Sequence, residues 1–247
     1  DGLQKYLPWA KKIEVPGKTF PIEVFYPENL EASHDTLFTR EDFVGACESA
    51  IVRATKESTT GDTLVFLPGK REIENLYYTL SKNSNLRQFE LCKLHGELTV
   101  EDQSRAIELR PNGLRKIILS TNVAETSITV EGVTSVVDSG LVRIAEYSYW
   151  SGIPTLKLKK TSKASCIQRA GRSGRLRPGR CYRIYSKFDY ESRAHFDVPE
   201  VKRSDLAKAF LDVSCLLKLQ NSKDAFDWLE TPEKGLILKA ISVLNCI

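Results

Sequence analysis

Residues 63–81 read TLVFLPGKREIENLYYTLS, and this stretch decides the expected fold. It opens with a continuous apolar run, which is typical of a strand buried on both faces. Pro68 and Gly69 end the run, and apolar residues then recur at helical spacing from Lys70 to Ser81. A buried strand that passes through a tight turn into an amphipathic helix is typical of sheets built from parallel strands.

The same alternation continues on both sides of this stretch. Further strands are predicted at 20–26, 89–94, 116–120, 135–138 and 180–185, and further helices at 39–56, 99–109 and 162–172. A hairpin is predicted from strands 141–149 and 155–160. Together these elements predict an α/β fold, a parallel sheet with helices on both faces. Ligands of such sheets bind in the loops at the carboxyl ends of the strands.

Three regions are expected along the chain. Residues 1–35 form a leading segment, residues 36–190 the sheet domain, and residues 191–247 a mainly helical region. Because the sequence contains no Met, we expect the chain to be a piece of a longer protein.

The composition is that of a globular chain, with 41% hydrophobic residues, 28% charged residues and a net charge of +4. This excludes collagen-like and wholly disordered proteins. No apolar stretch approaches the roughly 20 residues needed to cross a bilayer, so no membrane partner is expected. The six cysteines form no C-x-x-C pair, so no metal site is expected. Apolar neighbours of several cysteines indicate reduced thiols and hence a cytoplasmic location.

The positive charge is concentrated late in the chain. No acidic residue lies between Glu146 and Asp189, although this interval is rich in Lys and Arg. A block of one sign repels itself unless an anion lies nearby, and phosphate is the usual anion. A solvated basic surface is the alternative interpretation, but the Arg content and the glycines favour phosphate.

The strongest motif is QRAGRSGR, which begins at Gln168. On a continuous helix, Gln168, Arg172 and Arg175 would point in one direction. Two guanidinium groups beside an amide form a phosphate clamp with a group that can orient water. Gly171 and Gly174 each destabilise a helix by about 1 kcal/mol, so we expect a partner backbone or a nucleotide to approach closely there.

A second motif, STNVAETSIT, occupies residues 120–129 directly after a predicted buried strand. Hydroxyl and amide groups at a strand end are suited to hydrogen bonds with a sugar-phosphate backbone. A helix N-cap would explain the same residues, and Glu125 could equally form a structural salt bridge. The position of the motif just before VVDSG (136–140) favours nucleic-acid binding.

Five motifs, in this order and spacing, resemble motifs IV, IVa, V and VI of DEAH-box helicases. They are TLVFLPGKREIE (63–74), LHGEL (94–98), STNVAETSITVEG (120–132), VVDSGL (136–141) and QRAGRSGR (168–175). The resemblance covers nearly the whole chain and is strongest to the bacterial HrpA/HrpB-type branch. It implies the second RecA-like domain of a superfamily 2, P-loop NTPase-type helicase. The start of a winged-helix and helical-bundle region would follow this domain.

The resemblance also implies a role for each matched residue. Gln168 would orient the attacking water, and Arg172 and Arg175 would be arginine fingers on the γ-phosphate. Nucleotide contacts are implied for Glu131, Ile107 and Gly171. Nucleic-acid contacts are implied for Thr121, Asn122, Ser127, Thr129, Pro68, Gly69, His95 and Gly96.

Two of these positions depart from many eukaryotic family members. Glu131 stands where those members have Asp near the ribose, and Ile107 stands where they stack an aromatic residue on the base. An apolar wall grips any base weakly, so poor discrimination between nucleoside triphosphates is expected.

The implied activity is ATP-driven 3′-to-5′ translocation along single-stranded nucleic acid, with RNA favoured over DNA. The sequence has no G-x-x-x-x-G-K-[ST] loop and no acidic metal motif. ATP and Mg²⁺ would therefore be held mainly by the preceding RecA-like domain of the same protein, and the chain alone would lack ATPase activity. The alternative is a nucleic-acid-binding module without catalysis, which would have no use for Gln168.

Overall fold

The computed structural model describes residues 2–15, 20–27, 40–108, 113–126, 128–147, 153–217 and 227–245. The chain divides into two compact units. The larger unit comprises residues 17–143 and 158–197, and the smaller comprises residues 1–16, 144–157 and 198–247. Ser127 and the predicted hairpin tip lie outside the described residues.

Eight strands and nine α-helices are present among the described residues. The strands are β1 (Ile22–Phe25), β2 (Asp62–Phe66), β3 (Glu90–Leu94), β4 (Lys116–Ser120), β5 (Val133–Asp138), β6 (Leu141–Tyr147), β7 (Pro154–Lys160) and β8 (Gly179–Arg183). The helices are α1 (Gly2–Tyr6), α2 (Arg40–Glu57), α3 (Lys70–Lys82), α4 (Val100–Ile107), α5 (Val123–Thr126), α6 (Lys163–Ala170), α7 (Lys187–Ser192), α8 (Ala207–Leu217) and α9 (Lys234–Leu244).

Six of the strands form one sheet in the order β1-β8-β5-β2-β4-β3, and every neighbouring pair is parallel. Strands β6 and β7 form a separate two-stranded sheet. The predicted α/β fold with a parallel sheet is therefore confirmed. Helices α1, α5 and α7 were not predicted, because segments of four to six residues carry too little periodicity to recognise.

The sheet is buried on both faces because its central strands are apolar at successive positions. In β2, Val65 belongs to the core formed with α2 and α3, represented there by Ile51 and Leu76. Its neighbours Leu64 and Phe66 belong to the opposite core, which α4, α5 and α6 cover. Alternate side chains thus bury apolar surface on opposite sides, which is why the run 63–67 has no polar face.

Strand β1 is the edge strand beside β8, with Ile22 opposite Gly179. It lies inside the predicted leading segment 1–35 and completes the main sheet. The limits of the three predicted regions remain a prediction.

The smaller unit contains a helical pair. Helices α8 and α9 pack together, and Leu236 and Ala240 of α9 are buried with Leu206, which directly precedes α8. The rings of Phe210 and Trp228 lie 5.6 Å apart. Among the described residues, no helix is both long enough and apolar enough to span a membrane.

Candidate nucleotide and nucleic-acid site

Three neighbouring strands end side by side at the carboxyl edge of the sheet. The backbone N–H of Thr121 donates to the carbonyl of Leu94 over 3.2 Å, and that of Leu67 donates to the carbonyl of Ser120 over 2.7 Å. The turns after β2, β3 and β4 therefore begin next to one another. They carry six of the predicted nucleic-acid residues, namely Pro68, Gly69, His95, Gly96, Thr121 and Asn122.

These turns differ in what they expose. Asn122 and Gly96 are exposed, and a Cβ atom added to Gly96 would meet open space. Pro68 and Gly69 are buried, and a Cβ atom on Gly69 would lie 2.9 Å from Nε of Arg143. The open surface at this edge is therefore formed by the turns after β3 and β4, while the Pro68–Gly69 turn supports them.

His95 follows directly after β3 and is only 5% exposed. Burial, and secondly the positive charge of Lys70, lower the pKa of His95 below its ordinary value. Its Nδ1 atom has no hydrogen-bond partner among the described residues. His95 is consequently neutral at pH 7, so it can offer a hydrogen bond but no positive charge.

The QRAGRSGR motif is not a continuous helix. Helix α6 ends at Ala170, Gly171 caps it, and Arg172 and Arg175 lie in the turns that follow. The prediction that helical spacing places both arginines on one face with Gln168 is therefore wrong. The structural reason is that the chain must turn at this point to enter β8.

The two glycines of the motif have different surroundings. A Cβ atom on Gly171 would lie 3.2 Å from the carbonyl of Gln168, in its own helix. A Cβ atom on Gly174 would lie 2.7 Å from Cγ1 of Ile22 and 3.0 Å from the carbonyl of Phe20. The backbone that approaches Gly174 thus belongs to the segment that enters β1 of the same chain.

The two arginines nevertheless converge on one segment. Arg172 Nη1 donates to the carbonyl of Ile128 over 3.2 Å, and Arg175 Nη1 donates to Oγ1 of Thr129 over 3.1 Å. Within the described ranges, neither arginine forms an ion pair with a carboxylate. Burial and the like charge of Arg175 lower the pKa of Arg172, against the effect of Glu125. Two neighbouring cations without a directly paired carboxylate suit an anionic ligand.

This arginine pair lies away from the carboxyl edge. Thr129 and Glu131 precede the amino end of β5, where the carbonyl of Gly132 accepts a 2.9 Å hydrogen bond from Asp62 N–H. The expectation that ligands gather at the carboxyl edge therefore suits Thr121 and Asn122 but not the arginines. Thr129, predicted beside Thr121, instead binds Arg175.

Known proteins share this organisation. The family described as "Helicase conserved C-terminal domain" matches residues 46–177. The chain belongs to this helicase C-terminal domain family. It is 38% identical over 236 residues to the ATP-dependent RNA helicase HrpA of Escherichia coli strain K12, an alignment that covers 96% of the chain and 18% of HrpA. It is 32% identical over 252 residues to the pre-mRNA-splicing factor ATP-dependent RNA helicase DEAH10 of Arabidopsis thaliana, over 99% of the chain and 33% of that protein.

Solved structures agree with these relatives. The crystal structure of the Escherichia coli DEAH/RHA helicase HrpB superposes with a TM-score of 0.82 at 34% identity, over 99% of the chain and 30% of HrpB. The RecA-like fold and the resemblance to HrpA/HrpB-type DEAH-box helicases are thereby confirmed. The chain spans a third or less of the length of these relatives.

The other positions predicted to contact the nucleotide differ in their exposure. Gln168 is exposed in the last turn of α6, just before Arg172, and Glu131 is exposed. Ile107 ends α4 and packs partly buried against the core, so only part of its side chain faces solvent.

Part of the basic block of the helicase domain is paired with carboxylates. Acids from outside the block form the ion pairs Lys157–Glu146 at 2.9 Å, Lys160–Asp189 at 2.6 Å and Arg180–Glu23 at 3.3 Å. The fold thus supplies carboxylates to part of the block, among them Glu23, which is distant in sequence. Several of its cations, including Arg172, Arg175 and Arg177, have no carboxylate partner in the described part of the chain, and phosphate as their ligand stays a prediction.

Arg169 is the important residue that sequence reasoning missed. Its side chain is 0% exposed, and it pairs with Glu125 through Nε at 2.9 Å and with Asp138 through Nη1 at 3.0 Å. Of the two interpretations of Glu125, the structure shows the salt bridge. The available signal was that each neighbouring motif contains one acid, Glu125 in one and Asp138 in the other.

Proposed function

We propose that this chain supplies half of the ATP site of an ATP-dependent RNA helicase and part of its grip on RNA. The observation that carries the proposal is the convergence of Arg172 and Arg175 without a carboxylate, one turn beyond an exposed Gln168. This arrangement suits the terminal phosphate of a triphosphate that is bound mainly by another domain. The similarity to HrpA and DEAH10, which are ATP-dependent RNA helicases, supports the same activity.

In the proposed mechanism, Arg172 and Arg175 stabilise the negative charge that develops on the γ-phosphoryl oxygens during transfer. The exposed amide of Gln168 orients the attacking water. The nucleotide itself is contacted by Gly171, Glu131 and the exposed part of Ile107. Among the described residues, no group of three His, Cys, Asp or Glu side chains could hold a metal ion. We assign Mg²⁺ and most of the ATP contacts to the preceding RecA-like domain of the full-length protein.

The RNA grip is assigned to the carboxyl edge of the sheet. Thr121, Asn122 and Gly96 present hydroxyl, amide and backbone groups that suit the sugar-phosphate backbone. His95 and the Pro68–Gly69 turn support this surface. Ser127 belongs to the same proposal but lies outside the described residues.

Closure of the two RecA-like domains on ATP would bring the arginines to the γ-phosphate, and hydrolysis would reopen the cleft. Repetition of this cycle would move the grip along single-stranded RNA in the 3′-to-5′ direction. The competing function is a nucleic-acid-binding module without catalysis.

The decisive variant is Arg172→Ala in the full-length protein. Arginine fingers contribute roughly 10³–10⁵ to kcat in related phosphoryl transfers, so we expect ATPase activity to fall at least about 10³-fold. Nucleotide-free binding of poly-uridine RNA is expected to stay within about twofold of wild type.

Arg177→Ala is the matched control, because Arg177 is an exposed arginine close by in the same motif region. Among the described residues it donates only to Oγ1 of Thr60, at 3.2 Å. It should leave ATPase activity within about twofold of wild type. If Arg172→Ala instead weakened RNA binding and left hydrolysis intact, the binding-module function would replace the proposed one.

A further inference from the structure

We propose that the buried pair Arg169–Glu125 is a positioning device that couples RNA binding to the arginine pair. This inference rests on the proposed function. The two proposed binding regions lie in different parts of the sheet, yet each is three or four residues along the chain from one member of this pair. Asn122 precedes Glu125 by three positions, and Arg172 follows Arg169 by three.

The guanidinium of Arg169 contacts several elements at once. Besides Glu125 in α5 and Asp138 at the end of β5, its Nη1 donates to the carbonyl of Leu141, the first residue of β6, over 3.2 Å. The guanidinium carbon lies 5.0 Å from the ring centre of Phe66 in β2. A displacement of α6 is therefore transmitted to α5, to the end of β5 and to the start of β6.

Glu125 is the member that lies nearer in sequence to the proposed RNA-binding residues. Helix α5 begins two residues after Thr121, and the Oε1 atom of Glu125 accepts a 2.6 Å hydrogen bond from Oγ of Ser165 in α6. Glu125 in α5 therefore bonds two residues of α6, Ser165 and Arg169. Helix α5 has only four residues, so its position depends on these contacts rather than on its own stability.

Arg169 has a second carboxylate partner, so Glu125 can be replaced without leaving the arginine unpaired. Asp138 also pairs with Arg169 and accepts hydrogen bonds from Tyr185 Oη at 2.8 Å and from Gly140 N–H at 2.9 Å. In a Glu125→Gln variant, Arg169 keeps Asp138 as a counter-ion, so no buried charge is left unpaired. Gln replaces one of the two carboxylate oxygens with an NH₂ group, which cannot accept a hydrogen bond from Ser165 or from Arg169. The fold is retained and the link between α5 and α6 is weakened.

The experiment measures the affinity of the full-length protein for poly-uridine RNA with and without a non-hydrolysable ATP analogue. Coupled sites typically change each other's affinity by about five- to 150-fold. In the wild-type protein we expect the ATP analogue to change the RNA affinity by a factor in this range. In Glu125→Gln we expect it to change the RNA affinity by less than about twofold. RNA stimulation of ATPase activity should fall in parallel. RNA affinity without nucleotide and ATPase activity without RNA should each stay within about twofold of wild type.

Tyr182→Phe is the matched control for a general loss of stability. It removes the 2.8 Å hydrogen bond to Glu57 on α2, in the core on the other face of the sheet. In this variant the ATP analogue should change the RNA affinity by the same factor as in the wild-type protein. The inference is overturned if the ATP analogue changes the RNA affinity of Glu125→Gln as much as that of the wild-type protein, or if Tyr182→Phe loses this effect equally. It is also overturned if the wild-type protein hydrolyses ATP but its RNA affinity does not respond to the analogue. A wild-type protein without ATP hydrolysis would instead refute the proposed function.

Discussion

Arg169 and Arg172 stand three positions apart in one motif, and the fold gives them opposite surroundings. Arg169 is fully buried between two carboxylates. Burial alone would raise the pKa of Asp138, but the charge of Arg169 and the hydrogen bonds to Asp138 hold it below its ordinary value. Arg172 is half-buried and meets the like charge of Arg175. The first arginine therefore stabilises the fold, while the second is available to a ligand.

At the residue scale, Gly174→Ala should destabilise the protein. The added Cβ atom would lie 3.0 Å from the backbone carbonyl of Phe20, and the segment that enters β1 would have to shift. Overpacking of this kind costs about 1–3 kcal/mol. In thermal unfolding, a chain of this size loses about 2–4 °C for each kcal/mol.

Gly96→Ala is the control for this change, because its Cβ atom would meet nothing within 4 Å. Its unfolding midpoint should stay close to that of the parent chain. Equal midpoints for the two variants would show that the approach of β1 to Gly174 is not tight.

At the element scale, α4 shows how a helix of eight residues is held in place. Isolated helices of this length are unstable in water. Thr99 caps its first turn, with Oγ1 accepting from Asp102 N–H at 3.2 Å. Lys116, which is 2% exposed, donates its ammonium group to the carbonyls of Arg105, at 2.9 Å, and Glu108 beyond the last turn. Both ends of α4 thus depend on side chains.

Lys116→Met should therefore loosen the end of α4. Methionine fills a similar volume but leaves the carbonyls of Arg105 and Glu108 without this donor, at a cost of about 1–3 kcal/mol. Chemical denaturation should show a lower midpoint with an unchanged slope. Lys187→Met is the control, since Lys187 is exposed and its 3.9 Å ion pair with Glu191 is screened by water. A midpoint for Lys116→Met as high as that of the control would mean that α4 does not need this cap.

At the scale of the whole molecule, the proposed RNA-binding residues lie at the carboxyl edge of the sheet, and the proposed phosphate-binding pair, Arg172 and Arg175, lies elsewhere on the sheet domain. Neither includes a loop that cradles the β-phosphate. We therefore expect residues 1–247 alone to bind poly-uridine RNA weakly and to show no ATP turnover, with or without RNA. RNA binding should weaken as the salt concentration rises. A plot of the logarithm of the binding constant against the logarithm of the salt concentration should have a slope of about −0.7 for each phosphate neutralised.

The measurement is ATP hydrolysis by the purified chain, beside its Arg172→Ala variant. Turnover that the variant abolishes would contradict the expectation and would mean that this chain assembles a complete site, for example by self-association. Turnover that survives in the variant would point to a contaminating ATPase.

The sheet itself was predictable because its signals are local. Apolar runs such as 63–67 and 116–120 determine strands without reference to the rest of the chain, and β4 has the predicted bounds. Short elements such as α5 were missed because four residues do not define a period. The end of α6 was placed two residues late, since the turn at Gly171 depends on how the chain enters β8.

For the site, the sequence by itself determined the family resemblance, the parallel sheet and the residue types available for phosphate and RNA. It assigned Arg172 to the phosphate and gave Arg169, in the same basic block, no role. Only the tertiary structure decided that Arg169 is neutralised by Glu125 and Asp138, that Thr129 contacts Arg175, and that part of the block is paired with acids. The physical reason is that a charge is defined by its neighbours in space, and these come from strands and loops that only the folded sheet brings together.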